Sequence, residues 1–245
     1  MPLQKLFKAI SLTIKKLSLA SLSILFSFAS LSAISYPISQ IKSNTIVLQA
    51  QDGYNPQIGE SAFVISSLQE LEYISATLKV TQASDTITLE IIEKNPFFID
   101  KLASINQPIT PTDKVQFELY KNKAFVIAPS EEAYSQVAQM TSEQVRDFLS
   151  PTIALSFLGS LSVEKKDLQK LAKKYLLSKI YLVQNQKLYT LDAFSLEILA
   201  QKPLAYSSEQ AKKPFFSHLE SNNISSYLQR LLPFAYDKYY SAFTQ

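Results

Sequence analysis

The sequence predicts an α+β fold: a small antiparallel β-barrel-like domain over residues 36–120 and a small α/β domain over 121–245, behind a signal peptide at 1–35. Three patterns predict it. From Tyr36 to about Tyr120 apolar and polar residues alternate, the period of strands with one buried face. Past Lys121-Asn122-Lys123 apolar residues recur at spacings of three and four, interrupted by short continuous apolar runs, as in helices packed on a sheet. Ahead of both, Lys5, Lys8, Lys15 and Lys16 stand without an acid before Leu17–Ala33, an apolar run broken by serines. That run is shorter and richer in hydroxyls than the roughly 20 apolar residues of a membrane span, so it reads as an export signal. Ala33-Ile34-Ser35 satisfies the small-x-small rule and places cleavage before Tyr36. The body is therefore expected outside the cytoplasm, in the periplasm or at the cell surface.

In the first region Ile46-Val47-Leu48 leads into Asp52-Gly53, a dipeptide that takes positive φ cheaply. Ala62–Ile65 follows the Gly59 turn. Ile74, Ala76, Leu78 and Val80 then alternate with polar neighbours, as do Ile87, Leu89 and Ile91, and Val115, Phe117 and Leu119. Five such strands suit a small antiparallel barrel. Asn95–Thr112, with three prolines, reads as a long connection around one helical turn at Phe97–Ile105.

In the second region Ala124–Ala128 is a buried strand stopped by Pro129, and Ser130 caps a helix with Tyr134, Val137 and Ala138 on one face. Thr141-Ser142-Glu143-Gln144 fits a capping box opening a further helix that ends before Pro151. Pro151 opens another helix running to Gly159, and Ser162 caps one carrying Leu168, Leu171, Ala172, Tyr175 and Leu176. Strands Lys179–Val183 and Leu188–Asp192 turn around Asn185, with a third at Leu196–Leu204. A final helix from Ser221 is kinked or broken at Pro233.

Composition excludes most chemistry. There is no cysteine, so thiolate nucleophiles, disulfides and Cys-ligated metals are out. His218 is the only histidine, and glycine occurs only at Gly53, Gly59 and Gly159, too few for a phosphate-cradling loop. The formal charge of +3 comes from the leader, and with Arg146 and Arg230 the only arginines, no nucleic-acid partner is expected. The Ser-x-x-Lys pairs Ser39/Lys42 and Ser162/Lys165 are no more frequent than chance. Glu70/Glu72 and Glu131/Glu132 read as strand and first-turn acids, and His218 as a lone hydrogen-bonded residue. The expectation is no enzyme, no catalytic residue, no cofactor and no metal.

What remains points to a protein partner. Lys165-Lys166 and Lys173-Lys174 lie on a helix's polar face, whereas Lys212-Lys213 lies in a loop with a better claim to contact. Tyr236, Tyr239, Tyr240 and Phe243 follow Pro233, aromatic on several sides, and are expected to form an exposed binding patch. Deleting residues 234–245 is then expected to leave the fold intact.

Val115–Tyr120, Ala124–Tyr134, Lys179–Val183, Lys187–Ala193, Lys213–Phe216 and Gln57-Ile58-Gly59-Glu60-Ser61, in this order and spacing, resemble the N-terminal domain of the plasminogen-binding protein family of Helicobacter and its relatives. The resemblance implies a non-enzymatic surface or envelope protein that captures host plasminogen through lysine, C-terminal lysine above all. This sequence ends in Thr244-Gln245, so Lys212 and Lys213 would serve instead. The alternative is a periplasmic scaffold in an envelope assembly such as a flagellar motor disc, as a homo-oligomer or part of a larger complex. That alternative rests on the two-domain pattern, the absence of a reactive constellation and the aromatic end segment, with a fold-level analogy for the helix–strand–hairpin order of residues 124–205.

Overall fold

The computed structural model describes residues 34–97, 107–158, 163–207, 211–217 and 235–244. Residues 1–33 of the expected leader, Ser162, His218, the start of the final helix and all but the first residue of the turn at Phe97–Ile105 lie outside them. Ile34–Gln245 forms one compact unit.

Seven strands build the first sheet: β1 (Ile34–Pro37), β2 (Gln40–Lys42), β3 (Thr45–Gln49), β4 (Ser61–Leu68), β5 (Leu71–Ala83), β6 (Thr86–Lys94) and β7 (Lys114–Phe117). Their order is β1-β7-β4-β5-β6-β3-β2 with every pair antiparallel. The end strands β1 and β2 do not pair, so the sheet curls as a half-barrel rather than closing. Register shifts in β4 and β5 add to the curl, as bulges do by raising local twist. The expected alternation is present: Ile46, Leu48, Val64, Leu78, Val80, Ile87, Leu89, Val115 and Phe117 fill the concave side. β1 and β2 were not legible because four and three residues are too short to show a period. Leu119 lies past the end of β7, where Glu118 turns the chain with φ 53°.

The second sheet has the order β12-β11-β10-β8-β9, from β8 (Lys123–Ile127), β9 (Asp147–Phe148), β10 (Lys179–Gln184), β11 (Lys187–Asp192) and β12 (Ile198–Pro203). β8 runs parallel to β9 and β10, and β10 to β12 form an antiparallel meander. The unbroken apolar run of β8 follows from burial on both sides. Phe125 and Ile127 join the core with α3 (Lys165–Tyr175), and Ala124 and Val126 join the one with α1 (Glu131–Thr141). Asn185 and Gln186, with φ 51° and 59°, make the two-residue turn between β10 and β11.

Helix α1 starts as expected: the Ser130 hydroxyl accepts the Ala133 N–H at 3.2 Å. The capping box at Thr141 is overturned. Thr141 is already the last residue of α1, where its hydroxyl donates back to the Val137 carbonyl at 2.8 Å. No helix follows it; the chain returns to pair β9 against β8, and then α2 (Pro151–Leu158) begins. Helix α3 opens at Glu164 rather than Ser162, with the Glu164 N–H donating to the Asp167 carboxylate at 3.3 Å.

Candidate functional site

Two constructions stand out: the joint between the sheets, and the loop and C-terminal segment at the far end of β8.

The joint is made by Gln57–Ser61 and the turn after β11. The Asp192 carboxylate is buried and receives four donors. One oxygen accepts the Ser61 N–H at 2.9 Å and its hydroxyl at 2.8 Å. The other accepts the Phe194 and Ser195 N–H groups, both at 2.9 Å. Burial pushes the Asp192 carboxyl up while those donors pull it back. The Ser195 hydroxyl donates to the Gly59 carbonyl at 2.6 Å. Gly59 has φ +92°, and a Cβ there would lie 2.7 Å from the Glu197 Cβ, so only glycine admits the contact. Beside it Tyr54 donates to Glu60 at 2.5 Å, and Lys79 pairs with Glu197 at 3.3 Å. Burial raises Glu60 despite its two hydrogen bonds, and raises Tyr54 further.

A small cleft, open to solvent, lies along this joint, lined by Glu60, Glu118, Lys121, Lys179 and the rings of Phe63, Tyr120 and Phe194. Its Glu118–Lys121 ion pair closes at 3.2 Å. One Asp192 oxygen ties β11 to β4 through Ser61 and the other closes the turn after β11, so the carboxylate fastens the joint. Among the described residues no cluster of three His, Cys, Asp or Glu side chains suits a metal ion. Sequence reasoning missed Asp192, Ser61 and Ser195 as partners. The available signal was Asp192-Ala193-Phe194-Ser195, whose aspartate can accept from its own turn, but its second partner is remote in sequence.

At the other construction, the loop 211–217 runs beside the end of β8. The Lys212 N–H donates to the Pro129 carbonyl at 2.7 Å and the Phe216 N–H to the Ala128 carbonyl at 2.8 Å. Lys212 is exposed, its ammonium 5.0 Å from the centre of the Phe216 ring. Lys213, half-buried, precedes Pro214 through a cis peptide bond.

The expected aromatic patch is corrected by its burial. Tyr236, Tyr240 and Phe243 are 4%, 0% and 5% exposed and belong to the core with Phe125, Leu168 and Phe215, while Tyr239 is half-buried. The segment folds as α4 (Tyr236–Tyr239) and a 3-10 turn at Ser241–Phe243. Its hydroxyls explain why it turns inward. Tyr236 donates to the Ile127 carbonyl at 3.3 Å and Tyr240 to the Pro214 carbonyl at 2.5 Å, and Tyr239 accepts the Val163 N–H at 2.6 Å. Asp237 accepts from the Asn185 N–H and from the Tyr206 hydroxyl, and Gln184, fully buried, donates to the Asp237 carbonyl. In loop 211–217 Lys212 is exposed and Lys213 half-buried, whereas Tyr236, Tyr240 and Phe243 are buried.

Comparison with known proteins finds one family model, described as plasminogen-binding protein pgbA N-terminal, matching residues 33–244. Two curated relatives, the plasminogen-binding protein PgbA of Helicobacter pylori strains 26695 and J99, are each 27% identical over 173 residues, 67% of this chain. The chain spans about a third of the length of these relatives, 36%. No solved structure matches. No helix among the described residues is long and apolar enough to cross a membrane.

Proposed function

Because the chain belongs to the family of the PgbA N-terminal region, we infer that it is a non-enzymatic protein-binding module, exported to the cell surface, that captures plasminogen through exposed lysines. The observation that carries the reading is the family match over residues 33–244, joined to relatives named for plasminogen binding. Lys212 and Lys213 are the favoured contacts. Two backbone bonds to the end of β8 fix the loop that carries them, and the Phe216 ring lies beneath the Lys212 ammonium. A lysine held this way loses less side-chain freedom on binding than one on a mobile stem.

Export belongs to the same reading. The cut expected before Tyr36 would remove Ile34 and Ser35, which pair with Phe117 and Gln116 in β1. N-terminal sequencing of the protein from its host would show where the leader is removed.

Surface plasmon resonance on immobilised plasminogen, with and without free lysine, tests the binding. Binding displaced by lysine, and weakened about tenfold or more in Lys212→Ala/Lys213→Ala, is expected; a tenfold loss corresponds to about 1.4 kcal/mol. Absence of any lysine-sensitive binding by the folded chain would overturn the reading. Lysine-sensitive binding unchanged in the double variant would move the contact to other lysines.

A further inference from the structure

Strict alternation along β6 from Ile87, Leu89 and Ile91 would place Glu93 next on the concave side of the half-barrel. The strand does not follow it. A register shift beside Thr77 and Leu78 sets Leu78 opposite Ile91 but Ala76 opposite Lys94. Ala76 and Leu78 both belong to the half-barrel core, so Lys94 shares their face, and the concave side ends on a cation. Glu93 is turned the other way, to the Lys173 ammonium at 2.5 Å. Lys94 is exposed, with no ion pair among the described residues.

Lys94 stands at a pocket of about 420 Å³, open to solvent, where β2, β5 and β6 meet residues 107–109. That size falls within the roughly 300–1,000 Å³ of small-molecule sites. Its apolar lining is Ile41, Ile91 and Ile109, each packed in or against the half-barrel core. Its walls are fixed by backbone bonds. Ser43, with φ 42°, turns β2 into β3, and the next residue, Asn44, is tied to Ile91 in both directions: its carbonyl accepts the Ile91 N–H at 2.9 Å and its side-chain amide donates to the Ile91 carbonyl at 3.2 Å. Across the pocket the Asn95 N–H donates to the Ser75 carbonyl at 2.8 Å. The side chains of Ser43, Asn95 and Gln107 also line it and make no hydrogen bond among the described residues. No acidic side chain among the described residues lines it.

Uncommitted polar side chains are ordinary on a surface. Here three of them and one unpaired ammonium converge on an apolar, preformed concavity, which is the composition of a ligand site. We propose that this pocket binds a medium-chain alkyl carboxylate. The alkyl chain lies on the isoleucines, and the carboxylate pairs with Lys94 and accepts from the Asn95 and Gln107 amides. A cationic amphiphile would meet Lys94 with like charge, and a neutral one would leave the ammonium without its partner. No aromatic ring lines the pocket to stack a nucleobase or a sugar.

Titrating sodium octanoate into the isotopically labelled full chain at low salt, followed by two-dimensional NMR, tests this. Saturable shifts are expected at the amides of Ser43, Asn95 and Ile109. Hexanoate should bind more weakly, by up to about fourfold for each methylene no longer buried. Lys94→Gln should weaken octanoate binding about threefold and Lys94→Glu about tenfold, the range of a solvent-exposed ion pair and its reversal. Lys94 is exposed, and unchanged circular dichroism would show that both variants fold. Absence of saturable shifts, shifts confined to other parts of the chain, octanol binding as tightly as octanoate, or undiminished binding by Lys94→Glu would each overturn the proposal. So would shifts produced by phosphatidylglycerol vesicles but not by octanoate, which would assign these residues to a membrane surface. None of these outcomes depends on plasminogen binding.

Discussion

At the scale of single residues, tyrosine hydroxyls do much of the tying. Tyr36 bonds the Tyr54 carbonyl, Tyr54 bonds Glu60, Tyr206 bonds Asp237, and Tyr236 and Tyr240 bond backbone carbonyls of two separate segments. Burial holds all of these phenols above their usual value, and pushes Tyr181, whose hydroxyl has no hydrogen-bond partner among the described residues, up to about 12. The neutral phenol is the form the fold accepts. With the folded pKa above the unfolded value near 10, the contribution is fully present below pH 10 and is lost as pH rises through the folded values. We expect alkaline unfolding to be cooperative above pH 10, with tyrosinate absorbance and loss of far-ultraviolet circular dichroism rising together. Tyrosines that all titrate smoothly near pH 10 in a chain of unchanged dichroism would show that these hydroxyls are not holding the fold.

At the scale of elements, what was legible in the sequence follows from where each pattern is generated. Strands β3, β5, β6 and β7 and helix α1 could be read because apolar residues on one face of each pack into a core, which writes a clean period into the chain. The C-terminal segment could not. Its aromatics point several ways, which in an isolated helix implies exposure. Here they pack among β8, loop 211–217 and the residues ahead of α3, three elements the sequence does not bring together. Burial on several sides and exposure on several sides leave the same pattern. The segment is therefore core. Tyr240→Ala should cost about 3–5 kcal/mol by removing a fully buried ring, and Tyr240→Phe about 1 kcal/mol by removing only its hydrogen bond to Pro214. Urea unfolding of the two variants measures both. Equal stability of Tyr240→Ala and the unaltered chain would restore the exposed-patch reading.

At the scale of the whole molecule, the question is whether the two sheets fold as one unit or two. The change of period at residues 121–123 suggests a boundary, and each sheet has a core on its own far side. Against that, β4 belongs to both: Val64 faces the half-barrel, while Phe63 and Ile65 join the core of the second sheet beside Phe194. Asp192 and Gly59 fasten the same seam, through contacts more than a hundred residues apart in sequence, which is why no local pattern announced them. A side chain at Gly59 meets both a positive φ and the Glu197 Cβ, so Gly59→Val should cost on the order of 2–4 kcal/mol. With the seam carrying shared core, the loss should lower a single unfolding transition. Hydrogen exchange should quicken in the β3–β6 ladder as well as at the Ser61 and Ser195 amides, because opening the seam then opens the whole unit. If exchange instead quickens only at the seam while both ladders keep their protection, the sheets are independent domains that meet at Gly59 without depending on each other.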